Sequence, residues 1–204
     1  MNMLRSIRGS LLHPLDFFYD IQFDNRARLR NAVIIVAIAI FSKTLVSLLT
    51  GFSFNDKGAY QISVFNEALW IVLPWLTWSV SNWAVGAIVD GEGKFKHILI
   101  SSAYVFIPYI LFNIPFSIIS NVLTHKELPF IFLLDYGSTA WMLFILLVTV
   151  KVLHDFELGK TIWVTLLSLF GVLLIWFVCI MIFGLVNQSV QFLVDLYKEI
   201  SYRS

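Results

Sequence analysis

Two short stretches, "VDGEGKFKH" at 89–97 and "KVLHDFELGK" at 151–160, bring together His97, His154, Asp90, Glu92, Asp155 and Glu157. Imidazole beside carboxylate is the composition of an acid/base or metal site: the ring titrates near neutrality and binds divalent ions, and a carboxylate orients it. The spacing does not fit a structural zinc site, which favours fixed pairs of Cys or His. The same residues suit a charged connector between apolar segments. Gly91, Gly93 and Gly159 then serve turns, and Asp155 or Glu157 complements the dipole where the next helix starts. The connector makes fewer demands, so 151–160 is expected to be a loop and a helix start rather than an active site.

Ionisable residues inside apolar segments are costly unless paired or hydrated, and are functional candidates for that reason. Lys43 lies eight residues before Gly51, and Asp135 seven residues after Leu128. At 1.5 Å per residue both sit roughly 10–12 Å below the same membrane boundary. Matching depth predicts an ion pair joining the first and fourth segments; the alternative is a snorkelling lysine and an aspartate in a wetted mouth. Pro108 and Pro115, with Asn113 between them, predict a third segment that is kinked and partly opened near mid-membrane. Such a break is either a substrate site of a transporter or a structural kink closed by Ser101, Ser102 or Tyr104.

The elements that must position these residues follow from composition. The chain has 204 residues, 59% hydrophobic and 13% charged, against roughly 45–50% and about 25% in ordinary soluble domains. The apolar residues come in blocks, and about 20 residues cross a hydrocarbon core as a helix. Five spans are expected, at about 32–50, 66–89, 98–120, 128–150 and 161–186, giving an all-α polytopic membrane bundle. The segments flanking it, 1–30 and 187–204, are read as amphipathic. Leu4, Ile7, Leu11, Leu15 and Phe18 recur at helical spacing with a break near Pro14, and either bind lipid or pack on the spans. Val190, Leu193, Val194, Tyr197 and Ile200 predict a second interfacial helix.

Nine basic residues (Arg5, Arg8, Arg26, Arg28, Arg30, Lys94, Lys96, Lys151, Lys160) fall on one side and four (Lys57, Lys126, Lys198, Arg203) on the other. This places the N-terminus in the cytoplasm and the C-terminus outside. Cys179 is the single cysteine, so the chain forms no internal disulfide and no thiolate metal site. The N-terminus lacks the pattern of a cleavable signal. A net charge near zero gives no case for nucleic acid. No Gly-rich phosphate cradle, cofactor motif or metal-ligand spacing occurs, and five spans do not divide into two inverted halves.

Five spans, "SSAYVFIPYIL" in the third after a "DGEGKFKHIL" loop, and a "VLHDFELGKT" connector into the last resemble the Yip1 family, over roughly Pro14 to Gly184. The best local match is Tyr104 with Pro108 four residues on; the family often has Gly before that Tyr, where this chain has Ala103. The resemblance implies a compact five-helix membrane domain without established catalytic activity. Eukaryotic members act in vesicle trafficking with prenylated small GTPases, through a long cytoplasmic N-terminal region and an acidic Leu-x-Gly-Pro signature. Here the N-terminal region is about 30 residues and "HPLDFFYDI" lacks the signature, so GTPase binding is not carried over. The short form is similar to bacterial members, which implies the cytoplasmic membrane. Together these readings give a non-enzymatic scaffold or accessory subunit, with the bilayer, other membrane proteins or a second copy as partners and no cofactor. A small transporter is the alternative; a membrane-surface hydrolase lacks an identifiable nucleophile or metal.

Overall fold

The computed structural model describes residues 3–23, 28–50, 63–121 and 128–203. Arg26, Lys57 and Lys126 of the charge count, and Gly51 at the end of the first apolar run, lie outside the described residues. Among those described there are eight helices and no strand: α1 (Met3–Leu12), α2 (Pro14–Phe23), α3 (Leu29–Leu49), α4 (Val64–Ile88), α5 (Phe95–Tyr104), α6 (Ile107–Ile119), α7 (Leu128–His154) and α8 (Leu158–Arg203). Five helical stretches are long and apolar enough to cross a membrane, with α5 and α6 counting as one, Phe95–Ile119. The protein is an all-α polytopic membrane protein.

In hydrocarbon every backbone N–H and C=O must be satisfied within the segment, which selects helices here. Without a hydrophobic drive between helices, close approach of small residues holds them together. In α3 the buried residues Ala32, Ile35, Val36, Ala39 and Ser42 recur every three or four positions, while Val33, Ile34 and Phe41 point outward. Two of those buried positions are alanine, which lets α3 lie against α4, α5 and α6. The α5–α6 span is the most enclosed, with more than half of it buried.

The third span breaks at Val105 and Phe106, two residues ahead of Pro108. Proline has no N–H and disfavours helical backbone just before it. The chain compensates by tightening, with Val105 N bonded to Ser102 O at 3.3 Å and Phe106 N to Ala103 O at 3.2 Å. Pro115 opens no second gap: α6 runs through it to Ile119, and Asn113 Nδ2 donates to Tyr109 O at 3.2 Å.

The N-terminal helices pack on the bundle. Phe17, Phe18 and Ile21 of α2 are buried in the same cluster as Ile35, Ile100 and Ile145, and Ile7 and Leu11 of α1 lie against it. Leu15, expected on the same stripe, is exposed.

At the other end the expected separate surface helix does not exist. α8 is one helix of 46 residues, about 69 Å long and more than twice the roughly 30 Å hydrocarbon core. Asn187, Gln188 and Ser189 are polar but none breaks a helix, and Ser189 Oγ donates back to Leu185 O at 2.8 Å. The amphipathic tail therefore continues the fifth span's backbone.

Candidate functional site

His154 is 2% exposed, which corrects the reading of 151–160 as a solvated connector. It closes α7, and its Nε2 lies 3.1 Å from Asn82 Oδ1 of α4. Asn82 Nδ2 in turn donates to Ser168 Oγ of α8 at 3.1 Å, and Ser81 Oγ donates to the Ser168 carbonyl at 2.6 Å. With the Asn82 amide so oriented, Nε2 carries the proton and Nδ1 is a bare lone pair, buried and without a hydrogen-bond partner. The ring stacks on Phe156, centroids 5.2 Å apart and planes 12° from parallel, and Lys160 Nζ lies 4.2 Å from the Phe156 centroid. One histidine thus ties three spans together.

Gly86, Gly91 and Gly93 enclose this ring. A Cβ on any of them would overlap His154 atoms. None of the three has a positive φ, so they are needed for space and not for turn conformation, contrary to the expectation for Gly91 and Gly93. Gly159, also assigned to a turn, lies in the first turn of α8. The left-handed positions belong instead to Asp90 (φ 57°) and Asp155 (φ 52°). Each follows a helix end closed by a bond across five residues, Gly91 N to Gly86 O at 2.8 Å and Phe156 N to Lys151 O at 3.1 Å. That is a Schellman cap, for which Gly is the usual residue. Asp tolerates the left-handed region better than most residues, but both carboxylates then stand at the negative ends of helix dipoles. Asp90, Glu92, Asp155 and Glu157 are exposed.

His97 belongs to a different network. Its Nδ1 lies 3.0 Å from Gln22 Oε1, and Gln22 Nε2 is 3.4 Å from Glu92 O, so α2 is pinned to the loop before α5. Among the described residues no three His, Cys, Asp or Glu side chains gather as a metal would require.

Tyr104 occupies the last turn of α5, at the break. Its ring meets Phe17 of α2 edge-on at 4.8 Å. Pro108 is buried four residues on, inside the first turn of α6. Of the three groups expected to close the kink, Ser102 Oγ donates to Leu99 O at 3.1 Å, a carbonyl inside α5 and not one freed at the break, and Ser101 Oγ is buried without a hydrogen-bond partner. Tyr104 joins helices instead.

Lys43 is paired with Glu67 and not with Asp135. Lys43 Nζ lies 3.4 Å from Glu67 Oε2, with the glutamate 2% exposed, and Ser47 Oγ is 3.5 Å from Oε1. Lys43 also sits 6.0 Å from the Trp70 ring centroid. Asp135 is exposed on α7. Glu67 stands at the very edge of the expected second span, 66–89, where a charged residue reads as interfacial; α4 begins earlier, at Val64, and buries it. Consecutive helices α3 and α4 meet at one end of the bundle, which favours a partner from the nearest neighbour. Asn82 could have been found: Ser79, Asn82 and Gly86 form a polar and small stripe at helical spacing, and all three are buried.

These geometries describe a helix bundle cross-tied by polar side chains, among them Asn82, His154, Lys43 and Glu67. No curated protein and no solved structure matches the chain. A family model for the Yip1 domain matches residues 8–185, nearly the whole length. The match spans both Schellman caps, the broken third span and the His154 tie, and the chain belongs to the Yip1 domain family.

Proposed function

We propose that this protein is a non-enzymatic scaffold or accessory subunit of membrane complexes, acting through the outer surface of its bundle and through α8. The observation that carries this reading is the length and exposure of α8. From Leu173 onward it is largely uncovered by the rest of the chain, and it extends far past what a bilayer requires. The polar groups that sequence singled out support the same reading, since His154, Tyr104 and Lys43 are spent on ties within the bundle. A rigid body that keeps its polar groups to itself and extends a long apolar helix is suited to hold another membrane protein. The basic connections around Lys94, Lys96, Lys151 and Lys160 are proposed to face the cytoplasm of a bacterial cell.

The test is affinity purification of the tagged protein from its native membranes in mild detergent, with mass spectrometry of what remains at near-equal amount. A stoichiometric membrane partner, lost when 187–204 is removed, is the expected outcome. Recovery of the chain alone would overturn the scaffold reading. The Lys43–Glu67 pair, whose glutamate is buried, keeps transport as a second reading, and it requires flux in reconstituted vesicles that Glu67→Gln abolishes while the fold persists.

A further inference from the structure

We infer that the bundle holds the end of one phospholipid acyl chain in a cavity at mid-membrane depth; this does not rest on the scaffold reading. The cavity is about 220 Å³, and four spans line it: Trp75 and Trp78 from α4, Val105 at the α5–α6 break, Leu146 from α7, and Leu169 and Val172 from α8. Counted from the ends of their helices nearest the basic connections, these residues lie 8 to 14 positions in, a depth of roughly 12–21 Å at 1.5 Å per residue. That brackets the middle of a hydrocarbon core of about 30 Å.

Backbone irregularity opens the cavity. Pro74 stands inside α4 and lines it, and the break at 105–106 lies opposite. Two neighbouring helices therefore depart from regular packing at one level. Two of the polar groups in its wall are engaged elsewhere: Trp75 Nε1 donates to Leu99 O at 3.1 Å, and Ser102 Oγ lies 3.1 Å from Ser79 Oγ. What faces the cavity is almost entirely carbon.

That decides the occupant. Water needs two to four polar partners, and the wall offers at most the single N–H of Trp78. An empty space would forfeit the dispersion contacts of every atom around it. A helix of another protein, about 10–12 Å across, does not fit between four spans already in contact. An acyl chain is slender and apolar, and it is the molecule the bilayer supplies at this depth. A cavity of about 220 Å³ has room for several methylenes, the terminal portion of a phospholipid tail.

The test uses the full chain in phosphatidylcholine vesicles carrying a trace of phospholipid with a photoactivatable diazirine on one acyl chain, either near the terminal methyl or near the carboxyl. Adducts are mapped by mass spectrometry. The terminal probe should label Val105 and Leu146 at least about fivefold more than it labels Leu173 and Phe177, which face outward on α8. The carboxyl-end probe should not show this preference. Filling the cavity by Val172→Trp should remove the preference and leave Leu173 and Phe177 labelled as before. Should that variant fail to fold, the comparison of the two probes on the unaltered protein still decides. Equal labelling of cavity and outward residues by the terminal probe would overturn the proposal, as would complete protection of the cavity residues, which would mean that polypeptide closes it.

Discussion

At the scale of single residues, His154 shows how burial converts a reactive side chain into a structural one. Its ring is held by one hydrogen bond to Asn82, by stacking on Phe156, and by three positions where a methyl group does not fit. Gly86 lies within α4, where alanine would ordinarily gain about 1 kcal/mol over glycine in helix propensity. Here Gly86→Ala is expected to destabilise by about 1–3 kcal/mol, because the overpacked ring must move and give up its bond to Asn82. With His154→Ala already in place the clash is gone, and the same substitution should become neutral or stabilising. Thermal unfolding in detergent, followed by near-ultraviolet circular dichroism, measures both. An equal cost in the two backgrounds would show that the ring is not what excludes the methyl.

At the scale of elements, the contacts that matter join helices end to end or at matched depth. The Lys43–Glu67 pair links α3 to α4 near one boundary. Removing one partner of a buried pair leaves an uncompensated charge and costs about 3–5 kcal/mol, whereas replacing both by apolar residues is often close to neutral. Lys43→Met alone should therefore lower the melting temperature strongly, and Lys43→Met with Glu67→Met should restore most of it. Asp135→Asn should leave it unchanged, since Asp135 is exposed on α7. If Asp135→Asn matched Lys43→Met in effect, the assignment of Glu67 as partner would be wrong. The Schellman caps at Asp90 and Asp155 are also element-scale features. They stop α4 and α7 with the same geometry at one end of the bundle and so hold the two loops that wrap His154.

At the scale of the whole molecule, the core and the last span behave differently. α2, α3, α4, α5, α6 and α7 share one continuous buried cluster, and α8 reaches the rest chiefly along α4. The most apolar stretch of α8 contains no buried residue. Removing 187–204 should thus change the stability of the bundle by less than about 0.5 kcal/mol, the range of surface changes that touch no special feature. Unfolding of the truncated chain in the same detergent checks this, and a large loss would mean that the tail supports the fold. Retained stability with loss of a co-purifying partner would separate the two roles of α8.

The number of spans and the helical class were determined by sequence alone, because block hydropathy and the need to satisfy backbone groups in hydrocarbon leave few alternatives. Proline position likewise announced a break in the third span, and the spacing of apolar residues announced a helical N-terminus. Contacts between spans were decided only by tertiary structure. Which carboxylate meets Lys43, that His154 lies inside, and that three glycines serve its ring rather than turns all depend on how helices rotate and approach. A one-dimensional pattern carries depth along a helix axis but not the direction each face takes. The separate C-terminal surface helix was expected wrongly for a related reason: a polar triplet weakens an apolar run without breaking a helix, and backbone hydrogen bonding carries α8 through it.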